Sequence, residues 1–277
     1  MGLPGNGAAA PAGLDVKQAC TVLYNRLPPL QAAQTQSLLS PVVGSDCRVE
    51  WAASSQSDVQ MVAGLTQWDD HRVVMIALRA PVREEVLART VAVSPMPEDL
   101  RAYLLNHKAA IRLLYVGDSE DRLEQLTALY RVAGALLAQG GLGLLNERAA
   151  LALPAALAFT YLAQLGSPSP PIPLWTGAVT FNMEDDAAAQ PYFLRTYGME
   201  QLALPELGIF MPDRLLADEA YHTLINIALY VVESDPTLEI EAGHRTEFKG
   251  HTYLLTDPDI TGPEFASPSG LLMLVEV

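Results

Sequence analysis

The stretch AAIRLLYVGDSEDRLEQLTALYRVAGALL, residues 109–137, carries two hydrophobic periodicities in succession. Its opening run, AAIRLLYVG (109–117), is apolar and stops at a glycine, which predicts a strand. Beyond it Leu123, Leu126, Leu129, Ala133, Leu136 and Leu137 recur at spacings of three and four, the pattern of an amphipathic helix. Asp118 or Ser119 is placed to cap that helix, and Gly140 and Gly141 to end it by accepting left-handed backbone angles. One strand and one helix in a single unit set the class that the rest of the chain has to fit.

Upstream, ACTVLYNRL (19–27) reads as a strand and LQAAQTQSLLSPV as a short helix. RVEWAAS, VQMVAGL and RVVMIAL read as strands, the last two joined by a hairpin with Asp69 and Asp70 at its tip. REEVLART and MPEDLRAYLLNHK read as helices separated by Pro95 and Pro97. Downstream, LGLLNERAALALPAALAFTYLAQL predicts a short strand and an apolar helix. The segment GSPSPPIP (166–173) has too many prolines for a helix interior or a central strand, and marks a boundary. After it LWTGAVTFNM, PYFLRTYGM, TLEIEAG, TYLLTDP and GLLMLVEV predict strands, LPELGIFMP an extended segment, and residues 218–232 a helix. Irregular alternation with short strand connections predicts an α+β fold of mainly antiparallel sheets with packed helices, arranged as two ferredoxin-like α/β layers. The expected division is a flexible tail at 1–14, an α+β domain at 15–166, a proline-rich linker at 167–173 and a second α+β domain at 174–277.

Composition narrows the function classes. Half of the 277 residues are apolar, so a substantial core is expected. Thirty-two acids against 17 bases give a net charge of −15. That balance disfavours nucleic acid and an anionic membrane surface as partners, and favours a basic protein partner. Cys20 and Cys47 are too few for a disulfide framework, which fits a cytoplasmic location. The N-terminal residues lack the basic and apolar regions of a secretory signal, and no uninterrupted apolar run reaches membrane-spanning length.

From about residue 107 onward HKAAIRLLYVG, LTALYRVAGALL, LGLLNE, PLWTGAVTF, LRTYGMEQLALPEL and LINIALYVVES follow one another. This order resembles the bacterial family known as domain of unknown function 4261, with the best correspondence at residues 198–234. The resemblance implies a cytoplasmic bacterial α+β protein. It carries no catalytic residue over to this chain.

Neither cysteine has the glycine-flanked setting of a nucleophile turn, and Cys20 reads as a small buried hydrophobe. The five histidines are scattered with no HExxH spacing, and Asp69, Asp70 and His71 fall on a hairpin tip. The strand-to-helix loop YVGDSEDR is filled by its own acids, which complement the helix dipole and leave no place for a phosphate. Acid clusters at 184–186, 239 and 241, and 257 and 259 read as solvated. Asn146, Glu147 and Arg148 interrupt an apolar stretch, where a structural ion pair is the plainest reading. In EAGHRTEFKGH (241–251), Gly243 makes a turn and the charges then alternate, with Thr246 and Phe248 on the face opposite Arg245 and Glu247.

No cofactor and no metal is expected. The leading expectation is a non-enzymatic protein-binding or assembly protein, either immunity- or antitoxin-like or a self-associating homo-oligomer that uses GLLMLVEV as an edge strand. The alternative is a small-molecule or nucleotide-handling enzyme with its site between the two halves, for which Glu147, Arg148, Arg195, His244 and Arg245 are the candidate residues.

Overall fold

The computed structural model describes residues 15–52, 60–183, 191–234, 240–259, 262 and 265–277. The expected tail at 1–14 and the acid cluster at 184–186 lie outside them, as does Glu239. Among the described residues there are six α-helices and thirteen strands in two mostly antiparallel sheets, an α+β fold. From residue 15 onward the described residues divide into two compact units, one within 15–147 and 151–166, the other within 148–150 and 167–277. The division after Gly166 falls in the proline-rich segment.

The N-terminal unit is built on strands β1 (Gln18–Tyr24), β2 (Arg48–Trp51), β3 (Met61–Trp68), β4 (His71–Leu78), β5 (Ala109–Tyr115), β6 (Gly143–Asn146) and β7 (Leu151–Pro154). Their order across the sheet is β2-β3-β4-β5-β1-β6-β7, and every pairing is antiparallel. Its helices are α1 (Ala32–Val43), α2 (Glu84–Val93), α3 (Glu98–Leu105), α4 (Arg122–Leu137) and α5 (Ala155–Leu162).

Helices cover both faces at the centre of this sheet. Leu23, Ala110 and Leu145 pack with Leu87 and Val91 of α2 and Leu104 of α3. Their neighbours Val22, Ile111 and Leu144 point to the other face, where α4 packs on β1 and β5 and is itself flanked by α1 and α5. Double coverage explains why β5 reads as an unbroken apolar run rather than an alternating one, with six of its seven residues buried.

Two details depart from the sequence reading. The cap of α4 is Asp121, not Asp118 or Ser119: its carboxylate accepts from the backbone N–H of Leu123 and Glu124. Asp118 instead pairs with Arg72, and Ser119 Oγ donates to Glu124. Residues 142–165 hold two short strands before the helix, β6 and β7, joined by a turn at 147–150. Buried on both faces, Leu151–Pro154 carries no alternation to distinguish it from the helix that follows.

The C-terminal unit holds β8 (Gly177–Asn182), β9 (Tyr192–Tyr197), β10 (Glu206–Met211), β11 (Arg245–Phe248), β12 (His251–Thr256) and β13 (Leu271–Glu276), with α6 (Ala217–Ser234) between β10 and β11. The sheet order is β11-β12-β13-β10-β9-β8, and β10 and β13 run parallel. The sheets therefore contain seven and six strands, wider than the four-stranded layer of a ferredoxin-like unit.

GLLMLVEV is not an edge strand: β13 lies between β12 and β10, and its first four residues are buried. A fully apolar run belongs in a sheet interior, where both faces and both backbone edges are covered. The predicted strand TLEIEAG is not seen in its described part, because 240–243 form a turn around Gly243; residues 237–239 lie outside the described residues. One sheet face carries an aromatic cluster in which Phe193 stacks on Phe265 with ring centroids 4.7 Å apart and meets Phe210 at 5.1 Å. Helix α6 packs on the sheet, burying Ala220, Leu224, Ile227, Ala228 and Val231 at helical spacing.

Candidate functional site

The most constrained backbone of the C-terminal unit is the connection from β9 to β10, the sequence LRTYGMEQLALPEL. Gly198 ends β9 at φ +100°, a conformation that favours glycine, and a Cβ there would sit 2.6 Å from the Trp175 carbonyl oxygen. A 3-10 turn at Met199–Leu202 follows. Glu206, the first residue of β10, reaches back across the turn and is 4% exposed. Its Oε1 accepts from the N–H of Gly198 at 2.9 Å and of Met199 at 3.2 Å. Its Oε2 accepts from the Thr196 hydroxyl at 2.6 Å, and the Thr196 oxygen accepts from the Leu207 N–H at 2.8 Å. Gln201 donates its side-chain amide to the carbonyls of Trp175 and Gly198.

Burial pushes the Glu206 carboxyl above its usual range, while the Thr196 hydroxyl and the Arg195 charge pull it back. Both carboxylate oxygens are occupied by donors of this turn. The arrangement is a clasp that fixes the chain path, not a reaction centre. In the sequence the motif is visible, but nothing in it marks the role of Glu206. The usable signal is a Gly followed seven residues later by a Pro-Glu pair at a strand start.

An open groove of about 1060 Å³ lies in the same unit, at the C-terminal ends of the parallel strands β10 and β13. Phe210, Met211, Leu216, Phe248, Tyr253 and Val275 give it apolar walls, and Leu216 and Val275 stay 40% and 46% exposed. Glu219, Asp257, Asp259 and Glu276 bring carboxylates to it. Its two basic residues are partly engaged: His251 Nδ1 is 2.6 Å from Glu276 Oε1, and Lys249 lies over the Phe248 ring at 5.3 Å. Among the described residues no three His, Cys, Asp or Glu side chains are grouped to hold a metal ion.

The five residues singled out from the sequence fall in both units. Glu147 belongs to the N-terminal unit, where its carboxylate is 4.0 Å from Arg112 of β5. Arg148 is exposed in the turn after β6. Arg195 is 2% exposed within β9; its Nη1 donates to the Ala266 carbonyl at 2.9 Å and its guanidinium lies 4.4 Å over the Tyr197 ring. It braces the scaffold. His244 is half-exposed in the turn before β11, with Nε2 3.8 Å from Glu241, and Arg245 is exposed on β11. Three strands separate β11 from β9, placing His244 and Arg245 roughly 19 Å from Arg195 at about 4.8 Å per strand. They do not form a common centre with Arg195.

The remaining polar candidates serve the scaffold. Cys20 and Cys47 are buried free thiols, and burial pushes the Cys20 thiol up, away from the reactive thiolate. His71 Nδ1 is 2.8 Å from the Tyr115 hydroxyl, which burial raises to about 12. Glu120 pairs with Lys17 at 2.9 Å, so the acids of the loop before α4 are spent on local pairing and capping.

Compared with protein-family models, curated proteins and solved structures, the chain finds no match. No helix among the described residues is long and apolar enough to cross a membrane.

Proposed function

We propose that the protein is a non-enzymatic binding protein whose C-terminal groove takes a basic, apolar-anchored segment of a partner protein. The observation that carries this reading is the combination of exposed apolar walls and carboxylates in one open depression. Apolar side chains of the guest gain by leaving water at Leu216 and Val275, and Lys or Arg beside them meets Glu219, Asp257 and Asp259. The overall charge of −15 steers such a guest at long range. An immunity- or antitoxin-like role facing a basic partner fits this chemistry, and the bacterial family resemblance is compatible with it.

The test is fluorescence anisotropy with a labelled amphipathic peptide of Lys and Leu against an Asp/Leu peptide of equal length. The Lys peptide is expected to bind, with affinity falling as salt rises from about 50 to 500 mM because exposed charges are screened. Asp257→Asn with Asp259→Asn is expected to weaken it roughly tenfold, at up to about 1 kcal/mol per exposed pair. Equal binding of both peptides, or binding indifferent to Leu216→Ser and to the double variant, would count against the groove. Sedimentation of the protein alone reports the competing outcome, self-association.

A further inference from the structure

Beside Glu219, Asp257 and Asp259, the C-terminal groove carries a fourth carboxylate, Glu276, and this one is shared with an imidazole. His251 opens β12 and Glu276 closes β13, and the antiparallel register sets Tyr253 opposite Glu276. His251 and Tyr253 are two residues apart on one strand and share a sheet face, so the imidazole lies diagonally beside the carboxylate. Nδ1 of His251 is 2.6 Å from Oε1 of Glu276. Phe248 of β11, opposite His251, continues the same row. Helix α6 brings Glu219 and Thr223 to it. Burial first, then the charges of Glu276 and Glu219, push the Tyr253 hydroxyl above its ordinary range, and a hydrogen bond with Thr223 pulls it back. Two carboxylates from different elements thus converge on one fixed hydroxyl.

An ionised carboxylate only accepts hydrogen bonds, so Nδ1 carries the proton between the two groups and Nε2 is the nitrogen left to titrate. With Nε2 bare the pair is an anion, and a guest cation can meet Glu276. With Nε2 protonated the pair is neutral, and the imidazolium holds Glu276 by a charge-assisted bond. The titratable groups lining the groove with His251 are Glu276, Tyr253, Glu219, Lys249, Asp257 and Asp259. Arg245 and Glu247 of β11 alternate to the other sheet face. Carboxylates ordinarily titrate near about 4, and tyrosine and lysine near about 10, so imidazole is the one of these side-chain types that changes charge between pH 5.5 and 7.5.

We infer that the groove is a proton-gated cation site: a Lys or Arg of the guest seats between Glu276 and Glu219 beside Tyr253, and protonation of His251 withdraws Glu276 from it. This gate rests on the groove binding a basic segment. Imidazolium and guest cation need the same carboxylate, so each opposes the binding of the other. Acidification through the ordinary histidine range therefore weakens the guest's hold. Both side chains of the pair are more than half exposed, at 54% and 60%, so the gate modulates affinity several-fold and does not abolish it.

Fluorescence anisotropy of the full-length protein with an N-acetylated Lys/Leu peptide, at pH 7.5 and pH 5.5 and one ionic strength, tests it. The wild type is expected to bind about threefold more weakly at pH 5.5, the size of one exposed charge pair. His251→Gln is expected to bind at both pH values as the wild type does at pH 7.5. Glu276→Gln is expected to weaken binding at pH 7.5 by about threefold. His222→Gln, on α6 and outside the groove lining, is expected to keep the full pH dependence. All three positions are exposed, so circular dichroism of each variant should overlay the wild type at each pH. Equal wild-type binding at the two pH values, or a pH dependence that survives His251→Gln, overturns the gate and leaves the groove standing. Wild-type affinity in Glu276→Gln overturns the seat of the guest cation. No binding at either pH overturns the groove and the gate together.

Discussion

Replacing Glu206 with alanine is expected to destabilise the C-terminal unit by about 3–5 kcal/mol, because it strands several buried donors at once. The N–H groups of Gly198 and Met199 and the hydroxyl of Thr196 all lose their acceptor in a site closed to water. Glu206→Gln keeps an oxygen for the two N–H groups and places an amide where Thr196 donates now, so its cost should stay near 1–2 kcal/mol. Trp175, the tryptophan of this unit, is buried, and its emission in urea reports the transition once Trp51 and Trp68 are changed to Phe. Equal midpoints for wild type and Glu206→Ala would show that the clasp contributes nothing.

The same residue sets a pH signature. Burial raises its carboxyl above the ordinary value of 4.5, so the folded state holds the proton more tightly than the unfolded state. Its contribution to stability is therefore greatest below the unfolded value and is lost as pH rises through the folded one. The C-terminal transition should strengthen on mild acidification from neutrality, and Glu206→Gln should abolish that strengthening.

His107→Ala is the second large effect, in the N-terminal unit, at about 2–4 kcal/mol from two buried hydrogen bonds and the vacated volume. The imidazole is 2% exposed and links the loop before α2 to the corner between α3 and β5. Nε2 accepts the Val82 N–H at 2.7 Å, which makes the ring a neutral tautomer whose Nδ1–H donates to the Leu104 carbonyl at 3.1 Å. Burial lowers its pKa from the ordinary 6.5, so the unfolded state binds the proton first. The stability it gives is present above 6.5 and lost as pH falls through the folded value. From these two groups, acid is expected to act in opposite directions on the two units, firming the C-terminal one and loosening the N-terminal one. Urea transitions followed separately by Trp175 and by Trp68 at pH 7.5 and pH 5.5, the two values bracketing the ordinary histidine range, check this pair of signs.

Much of this architecture is local and therefore legible. Helix α4 announces itself by leucine spacing, and the β3–β4 hairpin by the Asp69-Asp70 turn between strand-forming runs. Strand β7 is hidden because total burial erases the period of two, leaving Leu151–Pro154 indistinguishable from the apolar helix beside it. The interior place of β13 depends on its parallel pairing with β10, a contact spanning the whole of α6 and the β11–β12 hairpin. No local pattern encodes that partner choice.

Site residues divide in the same way. EAGHRTEFKGH draws the eye by charge density, yet its His244 and Arg245 sit at a sheet edge, away from Arg195. Arg26, Arg79 and Lys108 draw none, since each is a lone base in its own segment, and only strand order brings them to one sheet end. Glu206 looks like an ordinary acid after a proline, and its role follows from the turn it closes.

The central claim, that the C-terminal groove receives a basic segment, is tested most directly by amide NMR of the full-length protein titrated with the Lys/Leu peptide. Shifts confined to residues around Leu216–Thr223, Phe248–Tyr253 and Met273–Glu276, abolished together by Leu216→Ser, are the predicted result. Saturable shifts elsewhere, with these amides unmoved, would contradict it.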